Sequence, residues 1–138
     1  MARLNLEVVT PEKIVVSEDV DTMVAPGSLG EFGILEGHAP FLTGIIPGEL
    51  RYSSNDKTEY IAVTSGFAEI SNDKIAVLVD AAEMSHEIDA ERAVAARDRA
   101  QERLANQKSK KDDDLDFLRA EIALKRALIR IRVAEKKG

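Results

Sequence analysis

The pattern of apolar and polar residues changes near residue 87. Before that point apolar residues alternate with polar ones, as at Leu4, Leu6 and Val8, and Gly, Pro, Asn and Asp recur between the alternating segments. Alternation with a period of two is typical of strands that bury one face. After it there is no Pro, the first Gly is Gly138, and apolar residues recur at every third or fourth position, which predicts helices. The pattern therefore predicts two parts, residues 1–86 and residues 87–138.

The first part contains many short segments with strand character, separated by turn residues. Pro26-Gly27 and Pro47-Gly48 are predicted to end strands, and Ser71-Asn72-Asp73 is predicted to form a turn. Such a series is typical of an all-β sandwich or barrel. The strand candidates are residues 4–8, 13–16, 20–25, 41–46, 49–52, 57–65, 66–70 and 75–79, with a hairpin loop over 53–56.

A glycine-rich stretch lies in the middle of the first part, over residues 27–40. It lacks the Gly-Lys-Ser/Thr sequence that a phosphate-binding P-loop needs, and it lacks the spacing of a dinucleotide-binding loop. We therefore interpret its glycines as turn residues at positive φ. His38 is interpreted as a hydrogen-bonded turn residue, and because His86 is the only other histidine, no metal site is predicted.

The second part predicts two antiparallel helices. Asp89 is a good N-cap, and a first helix is predicted to run from there to about Asn106. A polar connection over 106–114 follows, in which Asp113 or Asp114 is a candidate cap for a second helix ending near Ala134. Two helices with a short connection form an α-helical hairpin.

The second helix carries more apolar surface than a two-helix hairpin can bury. One of its two apolar stripes can meet the first helix, whereas the other needs either the β part or an outside partner, and both alternatives stay open. The broad face contains Phe117, Ala120, Ala123, Leu124, Ala127, Leu128 and Ile131, and the second stripe contains Leu115, Leu118, Ile122, Ile129 and Val133.

Arginines follow the same spacing on both predicted helices, i, i+7 and i+11. Each set forms a line along its helix, and three interpretations stay open: a solvated face with local ion pairs, a site for a polyphosphate, or a docking face for an acidic partner. The two lines are Arg92, Arg99 and Arg103, and Arg119, Arg126 and Arg130.

Composition excludes several classes of function. The 138 residues include no Cys, which rules out disulfides, thiolate metal sites and a Cys nucleophile. The sequence pI near 5.0 argues against general nucleic-acid binding. No apolar run reaches the length of a membrane span or a signal peptide core. Residues 1–86 carry 14 acidic and 5 basic residues, net −9, whereas residues 87–138 carry 11 and 14, net +3.

Four segments, taken in order and followed by a helical hairpin, resemble the epsilon-subunit family of F-type ATP synthases of bacteria and chloroplasts. Residues 30–35 with residues 37–40 resemble the family's most specific signature. Residues 6–11 resemble its opening strand, and residues 65–70 and 77–80 resemble its closing strands. The resemblance covers essentially the whole chain.

This resemblance implies an α+β chain, an N-terminal antiparallel β-sandwich of about ten strands followed by a C-terminal α-helical hairpin. It implies a non-catalytic subunit of the central stalk, or rotor, with no required cofactor. The sandwich would contact the gamma subunit and the membrane c-ring, and the helices would reach the alpha and beta subunits and inhibit ATP hydrolysis. The subunit-contact residues that the signature implies are Gly30, Phe32, Gly33, Gly37, His38 and Pro40.

Some members of the family bind regulatory ATP through an Ile/Leu-Asp-x-x-Arg-Ala motif, which is complete here. At Ile122 nucleotide-binding members carry Arg, and a simple cap role for Asp89 with a surface role for Arg92 is the alternative. Magnesium could modulate such a site, but the sequence offers no carboxylate cage for it. The positions that the resemblance assigns to the nucleotide are Ile88, Asp89, Arg92, Ala93, Arg99 and Arg126.

Other functions remain alternatives to this interpretation. A free-standing ATP-binding sensor would ignore the gamma subunit, and a purely structural scaffold would ignore nucleotide. An enzyme would need a nucleophile–base pair or clustered acids, and the sequence offers no catalytic residues of that kind. The resemblance places the chain at the cytoplasmic face of a bacterial cell membrane, in contact with the membrane only through the complex, with the thylakoid membrane as the alternative.

Overall fold

The computed structural model describes residues 4–107 and 114–136. The first part of the chain folds into ten strands and the second into two helices, which confirms the predicted sandwich and helical hairpin. A 3-10 turn (Ser85–Glu87) joins the two parts. The strands are β1 (Leu4–Val9), β2 (Ile14–Val20), β3 (Thr22–Gly27), β4 (Gly30–Ile34), β5 (Phe41–Ile45), β6 (Gly48–Ser54), β7 (Lys57–Val63), β8 (Gly66–Ser71), β9 (Lys74–Val79) and β10 (Ala82–Met84), and the helices are α1 (Ala90–Gln107) and α2 (Asp114–Glu135).

The strands form one rolled sheet in the order β10-β7-β6-β3-β5-β8-β9-β1-β2, with β4 paired to β3. β2, at one end of this order, contacts β6 and β10 at the other end, so the sheet closes into two facing layers. Neighbouring strands are antiparallel except β1 and β9, which are parallel. The fold therefore departs from a purely antiparallel sandwich at that one pair of described strands.

The inner faces of the two layers enclose an aliphatic core. Residues alternate between buried and partly exposed along β1, as the period of two predicts. Tyr52 is the large aromatic side chain among the buried residues. Burial, and then the negative charges of Glu18 and Glu59, raise the pKa of Tyr52, so its phenol keeps its proton at alkaline pH values where a free tyrosine ionises. The largest fully buried side chains include Leu4, Leu6, Met23, Ile34, Leu50, Ile61, Ile70 and Ile75.

Some predicted strand boundaries are wrong. Pro26-Gly27 does not stop β3 at Ala25, because these two residues are the last of the strand, with Pro26 opposite Glu31 and Gly27 opposite Gly30 in the β3–β4 pairing. β4 lies inside the glycine-rich stretch, where glycines hide the alternation that would have revealed it. The second strand runs on to Val20 rather than ending at residue 16, and β10 was not predicted.

The predicted turns are confirmed by their backbone angles. Asn55 and Asp56 have φ values of 52° and 64°, and Asn72 and Asp73 have φ values of 53° and 60°. Asn and Asp tolerate this left-handed region, which two-residue hairpin turns with the twist of the strands require. The glycine-rich stretch behaves as predicted at two positions, because Gly30 and Gly37 have positive φ.

The helical hairpin is built on buried alanines. Asp89 caps α1 as predicted, since its Oδ1 accepts a hydrogen bond from the Arg92 amide at 3.1 Å. Small side chains let two helices approach closely, and the buried residues of the two facing surfaces include Ala93, Ala100, Ala120 and Ala127. Most of the predicted polar connection, including the candidate cap Asp113, lies outside the described residues. Neither described helix is both long and apolar enough to cross a bilayer.

Candidate interaction surfaces and nucleotide-site residues

The hairpin rests on the sandwich mainly through the C-terminal half of α2. This part of α2 lies against β6, β7 and the 3-10 turn, while α1 packs on α2 and has little contact with the sheet. A small apolar cluster forms the contact. Its buried members are Ala62, Ile88, Ile129, Val133 and Ala134, with the half-buried Tyr60 packed against them.

Two ion pairs flank this cluster. Arg130 donates to Glu83 in a bidentate geometry, with Nε–Oε1 at 2.7 Å and Nη2–Oε2 at 3.2 Å. Lys136 Nζ lies 2.6 Å from Glu49 Oε1 and 5.2 Å from the centre of the Tyr60 ring. We call the two ion pairs and the apolar cluster the C-terminal latch.

The N-terminal half of α2 leaves apolar side chains in solvent. Leu115, Leu118 and Ile122 are 53%, 51% and 47% exposed, whereas Ile129 and Val133 of the same stripe are buried on the sandwich. The sandwich therefore covers the C-terminal half of this stripe, and its N-terminal half stays exposed. The exposed half borders a groove that is lined by Leu104, Phe117, Leu118, Glu121, Ile122, Leu124, Lys125 and Leu128.

A row of apolar residues crosses the sandwich face formed by β2, β1, β9 and β8. Val9 is paired with Ile14 on one side and with Leu78 on the other, and Leu78 is paired with Phe67. Ile14, Leu78 and Phe67 are 62%, 54% and 63% exposed. We call Ile14, Val9, Leu78 and Phe67 the sandwich row. The row could not be predicted from the sequence, because only the register shows that these outward positions adjoin.

The first half of the signature stretch shapes the β3–β4 hairpin. Gly30 begins β4 at a φ of 121°, and Gly33 is paired with Val24. Phe32 is half-buried and meets Phe41 edge to face, with ring centres 5.6 Å apart. This half of the signature therefore has a structural role in the sheet.

The second half of the signature forms the loop that leads into β5. The Gly37 amide donates to Asp73 Oδ1 at 2.7 Å. His38 Nδ1 lies 2.7 Å from the Ala39 carbonyl oxygen, which confirms the predicted hydrogen-bonded turn residue. Pro40 is exposed at the loop's end, beside the exposed Leu42. The loop is bonded to the β8–β9 turn through Gly37 and presents Pro40 to solvent.

Three of the six positions that the resemblance assigns to the nucleotide have structural roles. Ile88 belongs to the apolar cluster of the latch, Asp89 caps α1 and Ala93 is buried in the helical hairpin. Arg92 and Arg99 are exposed on α1. Each immediately precedes a buried alanine, as Arg126 does on α2. When two helices pack antiparallel, the residues that immediately precede the packed alanines lie on the same side of the pair. The three arginines therefore share one side of the hairpin.

Arg126 borders the cleft between α2 and the sandwich loops, which does not include Arg92 or Arg99. The second arginine line is interrupted, because Arg130 is bound to Glu83 and Arg119 Nη1 lies 3.7 Å from Asp116 Oδ1. The cleft has a volume of about 460 Å³ and is lined by Pro47, Thr64, Ser65, Asp80, Ala81, Ile122, Lys125 and Arg126. Within the described ranges, no group of three or more His, Asp or Glu side chains is arranged to hold a metal ion.

Both parts of the chain match models of known protein families. Residues 3–85 match the model described as ATP synthase, Delta/Epsilon chain, beta-sandwich domain. Residues 86–135 match the one described as ATP synthase, Delta/Epsilon chain, long alpha-helix domain. The chain belongs to the epsilon-chain family of ATP synthases. Membership of this family makes it a non-catalytic central-stalk subunit.

Relatives in this epsilon-chain family cover nearly the whole chain. The ATP synthase epsilon chain of Nitratidesulfovibrio vulgaris (strain DP4) is 50% identical over 130 residues, 94% of each chain. That of Syntrophobacter fumaroxidans is 50% identical over 134 residues, 97% of each chain.

The fold is also found in solved structures with much lower sequence identity. A chain of the Euglena gracilis mitochondrial ATP synthase, in a structure of OSCP, F1 and c-ring, superposes with a TM-score of 0.81 at 22% identity, covering 99% of this chain and 83% of that one. A chain of the Tetrahymena thermophila central stalk and c-ring superposes with a TM-score of 0.57 at 17% identity, covering 96% and 94%. The epsilon-chain fold therefore persists where most of the sequence has changed.

Proposed function

We propose that this chain couples proton translocation to ATP synthesis and inhibits ATP hydrolysis with a hairpin that leaves the sandwich. The observation that carries this proposal is the small size of the C-terminal latch. It consists of one apolar cluster and two ion pairs, while Leu115, Leu118 and Ile122 stay exposed beside it. A helix that keeps apolar residues in solvent in one position can bury them against another protein in a second position.

Charge supports the same exchange of partners. The hairpin part carries a net +3 and the sandwich part a net −9, so attraction between them favours the closed position. An acidic surface of the beta subunit would compete for the same cations. The two positions then differ by a modest free energy, because one set of ion pairs replaces another.

The sandwich row supports attachment to the rotor. Exposed apolar residues that adjoin across several strands are typical of a protein–protein interface. We assign this row to the gamma subunit, and the signature residues Gly30, Phe32, Gly33, Gly37, His38 and Pro40 to subunit contacts that include the c-ring. Residues 1–86 would then be the rotor-contact domain and residues 87–138 the regulatory domain. The bacterial relatives favour the cytoplasmic face of a bacterial cell membrane over the thylakoid.

Loss of the hairpin should release hydrolysis without loss of assembly. In a complex assembled with residues 1–86 only, the sandwich row still binds gamma, and we expect ATP hydrolysis to rise at least about twofold, as it must if half the complexes are inhibited. The ATPase rate of the purified complex measures this. An unchanged rate would show that the hairpin does not inhibit.

A weaker latch should have the opposite effect. Glu83→Gln removes the carboxylate that holds Arg130 but leaves the hairpin intact, so we expect stronger inhibition in the same assay. Glu69→Gln makes the same charge change on an exposed position of β8 and serves as the control. Equal ATPase rates for the two variants would contradict the proposed role of the latch.

The sandwich row should contribute most of the affinity for gamma. Phe67→Ser removes a large exposed ring from the β8 end of the row, and we expect the dissociation constant for isolated gamma to rise about tenfold or more. Leu29→Ser is the matched control, because Leu29 is 94% exposed and lies outside the row. Calorimetry with gamma alone measures both. Equal losses for the two variants would place the interface elsewhere.

Regulatory ATP binding is a second proposed function, favoured by the side of the hairpin that Arg92, Arg99 and Arg126 share. Guanidinium groups suit phosphate geometry, and the cleft beside Arg126 also contains Lys125 and the hydroxyls of Thr64 and Ser65. Ile122 stands at its edge and supplies no charge. A nucleotide in this position would bridge helices and sandwich and so favour the closed hairpin, with no dedicated cage for magnesium.

An ATP titration of the full chain tests this second function. We expect saturable binding below millimolar concentration, weakened about tenfold in Arg92→Ala and in Arg126→Ala because each removes a charge-assisted hydrogen bond. Arg132→Ala, exposed in the last turn of α2, is the control. No binding at millimolar ATP would leave Asp89 and Arg92 with structural roles only.

A further inference from the structure

Four charged side chains alternate in sign across the sandwich face that carries the hairpin. Arg51 on β6 donates to Glu31 on β4, with Nη1–Oε2 at 3.4 Å and Nη2–Oε1 at 3.5 Å. The same Nη1 lies 3.6 Å from Glu49 Oε2. Lys136, at the end of the hairpin, lies 2.6 Å from the other oxygen of Glu49. The charges therefore form a continuous series from the signature stretch to the C-terminal latch.

The strand geometry explains why these groups meet. Arg51 and Glu49 are two residues apart on β6 and so point to the same face. β3 lies between β6 and β4, and Val24 of β3 is paired with both Arg51 and Gly33. Glu31 is two residues before Gly33 on β4, on that same outer face, within reach of a long arginine side chain.

Burial makes Glu49 the decisive member of the series. Its side chain is only 11% exposed, against 57% for Glu31. A carboxylate with so little access to water needs a cation, whereas Glu31 can be solvated. Two cations are within reach of Glu49, and one of them, Arg51, is shared with Glu31. The strength of the ion pair between Lys136 and Glu49 therefore depends on whether Arg51 is paired with Glu31 or with Glu49.

We propose that Arg51 couples Glu31 to closure of the hairpin. A cationic side chain of a partner subunit that binds Glu31 frees Arg51 to neutralise Glu49, and Lys136 is then released with the end of α2. By reciprocity, a departing hairpin draws Arg51 to Glu49 and leaves Glu31 open to a partner's cation. This inference rests on the proposed function in one respect, because it takes the signature stretch as a subunit contact and the hairpin as a moving part.

The isolated full chain can test the coupling without any partner. Glu31→Gln imitates an engaged Glu31, because it no longer holds Arg51. The sequence has no cysteine, so the exposed positions Lys57 and Glu121 can be changed to cysteine and spin-labelled uniquely. Pulsed electron paramagnetic resonance between these labels then gives the open and closed populations directly.

We expect Glu31→Gln to raise the ratio of open to closed hairpin about twofold to fivefold, the range expected for one partly exposed ion pair. In an Arg51→Gln background the same change should have no effect, because the shared cation is gone. Glu69→Gln, the same charge change on β8 and outside the series, is the control and should leave the ratio unchanged.

Two results would overturn the proposal. One is a ratio in Glu31→Gln equal to that in Glu69→Gln, which would show that Glu31 does not influence the hairpin. The other is an effect of Glu31→Gln that persists in the Arg51→Gln background, which would show that Arg51 does not carry it. Neither result depends on the ATPase assay of the complex with residues 1–86. The proposed coupling and the proposed inhibition can therefore be disproved separately.

Discussion

The contact between the C-terminal half of α2 and the outer face of β6 and β7 determines how the two parts of this chain relate. It joins a closed sandwich, whose core is complete without the helices, to a hairpin that buries its alanines within itself. Its apolar cluster is separate from the sandwich core. Because the sandwich core does not depend on the hairpin, separating the two parts breaks only the contacts of the C-terminal latch.

The two outer faces of the sandwich differ in what covers them. The face of β6, β7 and β10 is covered by the hairpin, and Glu49 and Glu83 on it are paired with Lys136 and Arg130. The face of β1, β8 and β9 exposes the sandwich row and leaves room for a large partner. In the proposed function, one partner remains bound to the second face while the hairpin on the first face moves.

Much of this architecture could be predicted from the sequence, because local rules act there. The period of two, the Asn-Asp turns and the Asp89 cap each depend on neighbouring residues only, and each was predicted. β4 could not be predicted, since glycines carry no apolar pattern and its place is set by pairing with β3. The sandwich row was missed for the same kind of reason. Its members are distant in sequence and adjoin only through the register.

The candidate site was less predictable than the fold. The motif residues Ile88, Asp89 and Ala93 could be identified from the resemblance, and the cap at Asp89 from the sequence, but sequence spacing cannot show that Ile88 packs in the latch and Ala93 in the helical hairpin. The arginine lines were visible, but the pairing of Arg130 with Glu83 depends on tertiary structure. The series of charged side chains runs from Glu31 to Lys136, which are more than one hundred positions apart in the sequence. No local pattern in the sequence predicts that these residues lie in one series.

A reversible covalent link between hairpin and sandwich tests whether the hairpin must leave the sandwich to inhibit hydrolysis. Ala62 and Val133 share the apolar cluster, so cysteines at both positions can be joined by a disulfide or a short cross-linker in the assembled complex. We expect the joined complex to hydrolyse ATP without inhibition, and we expect reductant, acting on the disulfide, to restore inhibition. A joined complex that is inhibited as strongly as the reduced one would show that the hairpin does not have to leave the sandwich to act.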